Sequence, residues 1–112
     1  MEPLAIELKI DGKKKRYVTP NYIGGLYFRL AAEISQEFED QSFNVYLNLD
    51  KYLQFVVDVF GGKFDVDTLE KGMDSRKIIN TIYAVSNYVL GNINLGIKLL
   101  SDKEPTEEEL GK

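Results

Sequence analysis

The 112-residue sequence contains neither cysteine nor histidine. Without cysteine it can form no disulfide, no thiolate metal site and no cysteine nucleophile. Without histidine it lacks the commonest general base and metal ligand. A hydrolase or transferase built on this chain would depend on Asp, Glu, Lys, Ser or Tyr alone. Tryptophan is missing too, so seven Tyr and six Phe must supply the aromatic bulk of any core. No stretch approaches the roughly 18 apolar residues that span a bilayer. Met1-Glu2-Pro3 is not the basic start of a signal peptide, and the apolar residues after it alternate with polar ones. The chain is therefore expected in the cytosol. A net charge of −4 weighs against nucleic acid, whose phosphates call for a basic surface. No internal repeat is present.

A hydrophobic fraction of 44% with 29% charged residues is ordinary for a soluble globular chain, and the length suits one domain around one core. Leu4, Ile6, Leu8 and Ile10 alternate with Ala5, Glu7 and Lys9, the period of a strand with one buried face. Asp11-Gly12 then signals a hairpin, with Lys13 to Thr19 as the return strand. A two-residue loop places Tyr17 on the buried face, whereas a three-residue bulged loop places Val18 there. A lone hairpin is marginal in water, so this one must pack on helices or pair with another strand.

Thr19-Pro20 reads as a helix start, with Thr as cap, unless the helix begins after Gly24-Gly25. Ile23, Leu26, Tyr27, Leu30, Ile34 and Phe38 form its apolar stripe. The segment 37–48 reads as a connection with one extended piece at Phe43 to Leu47. A second helix from Asn48 or Asp50 to Phe60 is apolar on nearly every side between Leu53 and Phe60, which predicts the central helix, stopped by Gly61. Asp65 caps a short helix ending at Gly72. Asp74 or Ser75 caps a longer one to Gly91, with Ile78, Ile82, Val85 and Val89 inward and Ile79 and Tyr83 beside them. These readings predict an α+β fold, mostly helical, with an N-terminal β-hairpin packed on about four α-helices. Residues 1–95 form the single domain, and the acidic tail 96–112 is expected to be disordered.

Four features invite a functional reading. Lys13-Lys14-Lys15-Arg16 could meet phosphates or an acidic partner, but without interleaved aromatics a solvated hairpin edge is preferred. Asp65, Asp67 and Glu70, like Asp58 and Asp74, lack the alternating ligands, central Gly and closing Glu of a Ca²⁺ loop, and fit helix capping better. Gly61-Gly62-Lys63 lacks the spaced first Gly and following Ser or Thr of a phosphate loop, and reads as a helix stop. Tyr17, Tyr22, Tyr27, Tyr46, Tyr52, Tyr83 and Tyr88 divide between core and interface, since tyrosine suits both. No catalytic group, cofactor or metal site is expected.

The hairpin Leu8-Lys9-Ile10-Asp11-Gly12-Lys13-Lys14-Lys15, the helix after it and the run Val56-Val57-Asp58-Val59-Phe60-Gly61-Gly62-Lys63-Phe64 together resemble the tail assembly chaperones of long-tailed phages (siphophages) of Gram-positive bacteria. The Asp65 to Met73 segment and the closing helix from Asp74 to Gly91 follow that family's layout, so the resemblance covers residues 4–95. It implies a non-enzymatic protein of the host bacterial cytoplasm. Such chaperones coat the aggregation-prone tape measure protein, help tail tube protein polymerise around it and leave before the virion is complete. The family also makes a longer frameshifted product. Codons for the closing Gly111-Lys112 can form the slippery heptamer that such a product needs, which the nucleotide sequence would settle.

A holdase needs exposed apolar grooves for amphipathic helices and no catalytic group. Several copies on one tape measure would gain avidity, so self-association is expected. The candidate partner-binding residues are Tyr83 and Tyr88 on the solvent side of the last helix, with Ile93, Leu95, Ile97, Leu99 and Leu100 after it. Ordinary core and C-terminal packing is the alternative for all seven. The run ending Phe60-Gly61-Gly62 is read as core rather than as binding surface. The rival function is a small nucleic-acid-associated regulator that uses Lys13 to Arg16.

Overall fold

The strands β1 (Ala5–Ile10) and β2 (Lys13–Val18) pair antiparallel, with Ala5 opposite Val18 and Ile10 opposite Lys13. This is a computed structural model, and it describes residues 2–101. Asp11 (φ 51°) and Gly12 (φ 80°) both take left-handed backbone conformations. A two-residue hairpin loop demands this, because only that turn matches the twist of its strands. The register is thereby settled: Tyr17 lies opposite Ile6 and is buried, and Val18 is half-buried.

The open end of the hairpin is closed by Thr19. Its amide donates to the Leu4 carbonyl (2.9 Å), and its hydroxyl accepts from the Leu4 amide (3.0 Å). Thr19 is thus not a helix cap, as its place before Pro20 had suggested, because its hydroxyl is already engaged. Helix α1 (Gly25–Glu39) begins after the glycine pair instead. Ala31 and Ile34 are buried on it, and Tyr27, Leu30 and Phe38 are partly so. Leu26, expected in the stripe, is exposed. At 100° per residue it lies about a quarter turn from the line through Ile34.

The extended piece expected at Phe43 to Leu47 is a 3₁₀ turn at Val45–Asn48. Asn44 causes it, since its side-chain oxygen accepts from the amides of Tyr46 (3.0 Å) and Leu47 (3.2 Å) and tightens the chain. The turn feeds α2 (Leu49–Val59), whose residues Tyr52, Leu53, Phe55 to Val57 and Val59 are buried, as is Phe60 after it. Gly61 (φ 79°) ends the helix in the left-handed region, and the Gly62 amide reaches back to the Val57 carbonyl (2.9 Å). Helix α3 (Val66–Gly72) is capped by Asp65, which accepts from the Thr68 amide (2.7 Å). Asp74 likewise caps a 3₁₀ turn at Ser75–Lys77, which leads into α4 (Ile78–Val89).

Ile82 and Val85 of α4 are buried and Ile78 and Val89 pack on the core, while Ile79, expected beside them, is exposed. A fifth helix, α5 (Ile93–Ser101), runs into the stretch read as tail, so the bundle holds five helices rather than about four among the described residues. Residues 102–112 of that expected tail lie outside the described residues. α5 lies against α4, with the Asn80 side chain donating to the Leu99 carbonyl (2.9 Å). At Gly96 a Cβ would come within 2.9 Å of both the Ala84 carbonyl oxygen and the Tyr88 Cβ. The helices meet backbone to side chain at that point.

Aromatic pairs join the layers. Tyr17 meets Phe64 edge-on (centroids 4.8 Å apart), and Phe64 lies against Phe60 (5.8 Å), which ties the hairpin to the end of α2. Phe38 of α1 meets Tyr52 of α2 edge-on (5.3 Å) and stacks with Tyr83 of α4 (6.2 Å, 9° between planes). Such pairs add about 0.5–1.5 kcal/mol each beyond the area they bury.

Gly96→Ala is expected to push α5 away from α4 and to lower unfolding free energy by about 1–3 kcal/mol, the cost of overpacking a tight contact. A urea titration checks this: the midpoint should fall with the slope unchanged. An unchanged midpoint would mean that α5 does not hold this position on α4.

Candidate partner-binding surfaces

The seven candidate residues do not share one face. Tyr88 is 4% exposed, and its hydroxyl donates to the Glu2 carbonyl (2.7 Å), so it bolts the N-terminal segment to α4. Tyr83 is half-buried beneath Phe38. Ile93, Ile97 and Leu100 are half-buried and pack on the core, while Leu95 stands exposed and Leu99 is intermediate. α5 thus turns one side to the core and leaves Leu95 outside.

The exposed apolar surface lies elsewhere for the most part. Tyr22 is 82% exposed, Leu26 67% and Phe28 54%. Tyr22 and Phe28 line an open groove of about 510 Å³ with Pro3, Pro20, Ile23, Val89 and Ile93, and Tyr88 also borders it. The segment 19–24 can form this wall because Thr19 closes the hairpin and α1 starts only at Gly25. Leu26 and Phe28 sit to either side of the buried stripe of α1. Periodicity assigns Leu26 to the core and passes over Phe28, although two large apolar residues flanking a stripe are themselves a surface signal. Tyr46 and Leu47 are exposed at the 3₁₀ turn before α2.

A second groove of about 740 Å³ runs along the hairpin, bordered by α3, α4 and the end of α5. Five cations line it, Lys9, Lys14, Arg16, Lys71 and Lys77, against the carboxylates Glu7 and Asp74. Strand alternation divides the basic cluster Lys13 to Arg16. Lys14 and Arg16 line the groove, while the Lys15 ammonium lies 5.5 Å from the Tyr17 ring. The cluster is no continuous stripe along one face.

The other motifs resolve into structure. The Lys63 ammonium donates to the Val18 carbonyl (3.1 Å), so Gly61-Gly62-Lys63 ties the end of α2 to the hairpin. Asp65 and Asp74 are caps, and Asp58 accepts from Gln54 (2.8 Å). Among the described residues no group of three or more acidic, His or Cys side chains could hold a metal. Nor is any described helix long and apolar enough to cross a membrane.

Lys51 bridges Glu33 (2.9 Å) and Glu37 (3.0 Å), and the Tyr52 hydroxyl donates to Glu37 (2.8 Å). The hydrogen bond from Lys51 holds the Glu33 carboxyl below its usual range. Burial, followed by the bond to Glu37, pushes the Tyr52 hydroxyl up. Burial works against the charge on Lys51, but its bonds to the two glutamates outweigh that and raise it. Hydrogen bonds from the Arg76 side chain and amide pull Asp74 far below the carboxylate range, and those from Thr68 lower Asp65.

A family model described as phage tail chaperone protein matches residues 1–112, the whole sequence. The chain belongs to this family. No curated protein and no solved structure matches it. Membership of a chaperone family points away from catalysis, and the two grooves of this tail chaperone have the form of binding surfaces. Its role belongs to phage tail assembly, with phage tail proteins as partners.

The pKa shifts predict how stability depends on pH. Glu33, Asp65 and Asp74 are lowered in the folded state. Their contribution is present above the ordinary carboxylate range, near pH 4, and is lost as pH falls through their folded values. Tyr52 and Lys51 are raised, so theirs is present below about pH 10 and is lost as pH rises beyond it. With no His or Cys in the sequence, unfolding free energy should be nearly flat between about pH 6 and 9. Urea unfolding across the pH range measures this, and Tyr52→Phe should shallow the alkaline limb. A steep change near neutral pH would contradict the assignment.

Proposed function

We propose that this tail chaperone binds the tape measure protein in the host bacterial cytoplasm, keeps it soluble and promotes tail tube polymerisation around it. The chaperone then leaves before the virion is complete. The observation that carries the reading is the exposed aromatic pair Tyr22 and Phe28 in the groove that Val89 and Ile93 also line. An apolar groove accepts the apolar face of an amphipathic helix, which is the form a long helical client presents along its length. Ile93 at the groove and Leu95 on the outside of α5 are the candidate α5 residues best placed to extend that contact. Copies bound side by side on one client gain avidity, which supports self-association. Binding of this kind needs no cofactor and no catalytic group. The divided cluster Lys13 to Arg16 gives no comparable support to a nucleic-acid-associated regulator.

Co-expression with a tape measure protein tests both the role and the surface. Wild type should carry the client into the soluble fraction. Tyr22→Asp with Phe28→Asp alters exposed side chains, so stability should change by no more than about 0.5 kcal/mol each. The double variant should bind an amphipathic tape measure segment at least about tenfold more weakly, the loss expected for central aromatic contacts. Equal solubilisation by the double variant would sink the groove assignment. A client left insoluble by wild type would sink the role itself.

A further inference from the structure

The basic groove along the hairpin has no part in the proposed client contact, and its charge arrangement is costly as it stands. Lys9 and Lys14 lie directly opposite each other across the two strands, and Arg16 opposes Glu7 two pairs further along, on the same face. Like charges at directly paired strand positions repel. Lys71 joins this field while bridged to Asp67 (3.2 Å). Both partners of that bridge are well exposed, so it holds little energy. A groove with five cations and two carboxylates fits an anionic polypeptide segment.

Leu100 and Ser101, the last residues of α5, themselves line the groove. The eleven residues that follow read Asp102-Lys103-Glu104-Pro105-Thr106-Glu107-Glu108-Glu109-Leu110-Gly111-Lys112, five carboxylates against two lysines. We propose that this segment, residues 102–112, docks in the basic groove of its own chain and neutralises Lys9, Lys14 and Arg16. Reach is no obstacle, because eleven residues extend up to about 36 Å and the molecule is only 28 Å across its shortest axis. Tethering raises the effective concentration of the segment to the order of millimolar, so even a weak attraction fills the groove. The same tether lets the segment outcompete nucleic acid, which the net charge of −4 also repels. Because the attraction is between exposed charges, occupancy of the groove is salt-dependent and reversible. This inference is independent of which tail protein fills the apolar groove.

Amide NMR of the full chain tests it, comparing wild type with a variant carrying Glu107→Lys, Glu108→Lys and Glu109→Lys. At about 0.01 M salt, where charges act over about 30 Å, the amides of Leu8, Lys9, Gly72 and Thr81 should shift between the two proteins. At about 1 M salt, where the range is about 3 Å, the difference should vanish. The reciprocal variant Lys9→Glu with Lys14→Glu should move the signals of Glu107 to Glu109. Shift changes confined to residues after Ser101 would overturn the proposal. So would groove shifts that grow with protein concentration, which would place the segment on a second copy instead. Because the first variant alters only residues beyond α5, it leaves the packed core intact and the result readable.

Discussion

An α-helix that is apolar on nearly every side cannot face water, and α2 between Leu53 and Phe60 is such a helix. Its enclosure dictates the arrangement of the other elements. α1 and α4 reach it through the aromatic stack of Phe38 with Tyr52 and Tyr83, and α3 returns along it after the Gly61 stop. The hairpin seals its C-terminal end through Tyr17, Phe64 and Phe60. A two-stranded sheet is not stable alone, so dependence runs both ways. α2 needs the hairpin as cover, and the hairpin needs α2 as its core.

The enclosure is fastened by a few polar bonds between distant parts of the chain. Thr19 with Leu4 shuts the open end of the hairpin, Lys63 ties β2 to the end of α2, and Tyr88 holds the Glu2 carbonyl against α4. The Thr19 bond with Leu4 is buried, and leaving such a partner unsatisfied costs about 1–3 kcal/mol. These bonds also set where the surfaces fall. With Thr19 committed to the hairpin, the segment 20–24 cannot join α1, and it becomes the wall of the apolar groove instead.

What could be read in the sequence divides along the same line between local and distant interactions. Asp11-Gly12, Gly61, Asp65 and Asp74 were legible because a turn or cap is decided by residues two or three positions away. The burial of α2 was legible because its apolar residues leave only the narrow polar stripe Lys51, Gln54 and Asp58 for water. Tyr88 was not, since the carbonyl that engages its hydroxyl lies 86 residues away. α5 was read in part as tail because the apolar signal weakens after Gly91 and the residues beyond Leu100 are acidic. In the fold Gly96 is what allows the close approach to Ala84 and Tyr88. Leu26 failed for a geometric reason: a stripe with many apolar positions looks wider in sequence than the face that α1 turns to its neighbours.

Under the proposed function the chaperone must later leave its client, so its surface cannot bind as a core binds. The apolar groove meets this requirement by its origin, because Tyr22 and Phe28 stand outside the packed stripe and most of their surface is already free of the fold. Removing a client from them exposes apolar area but breaks no contact on which α2 depends. The exposed part of the candidate binding surface and the core are therefore built from different residues, with Ile23, Tyr88, Val89 and Ile93 as the link between them. The run that ends at Phe60 belongs to the scaffold side of that separation: its apolar side chains are buried, and only the Gly61-Gly62 stop after them reaches the surface.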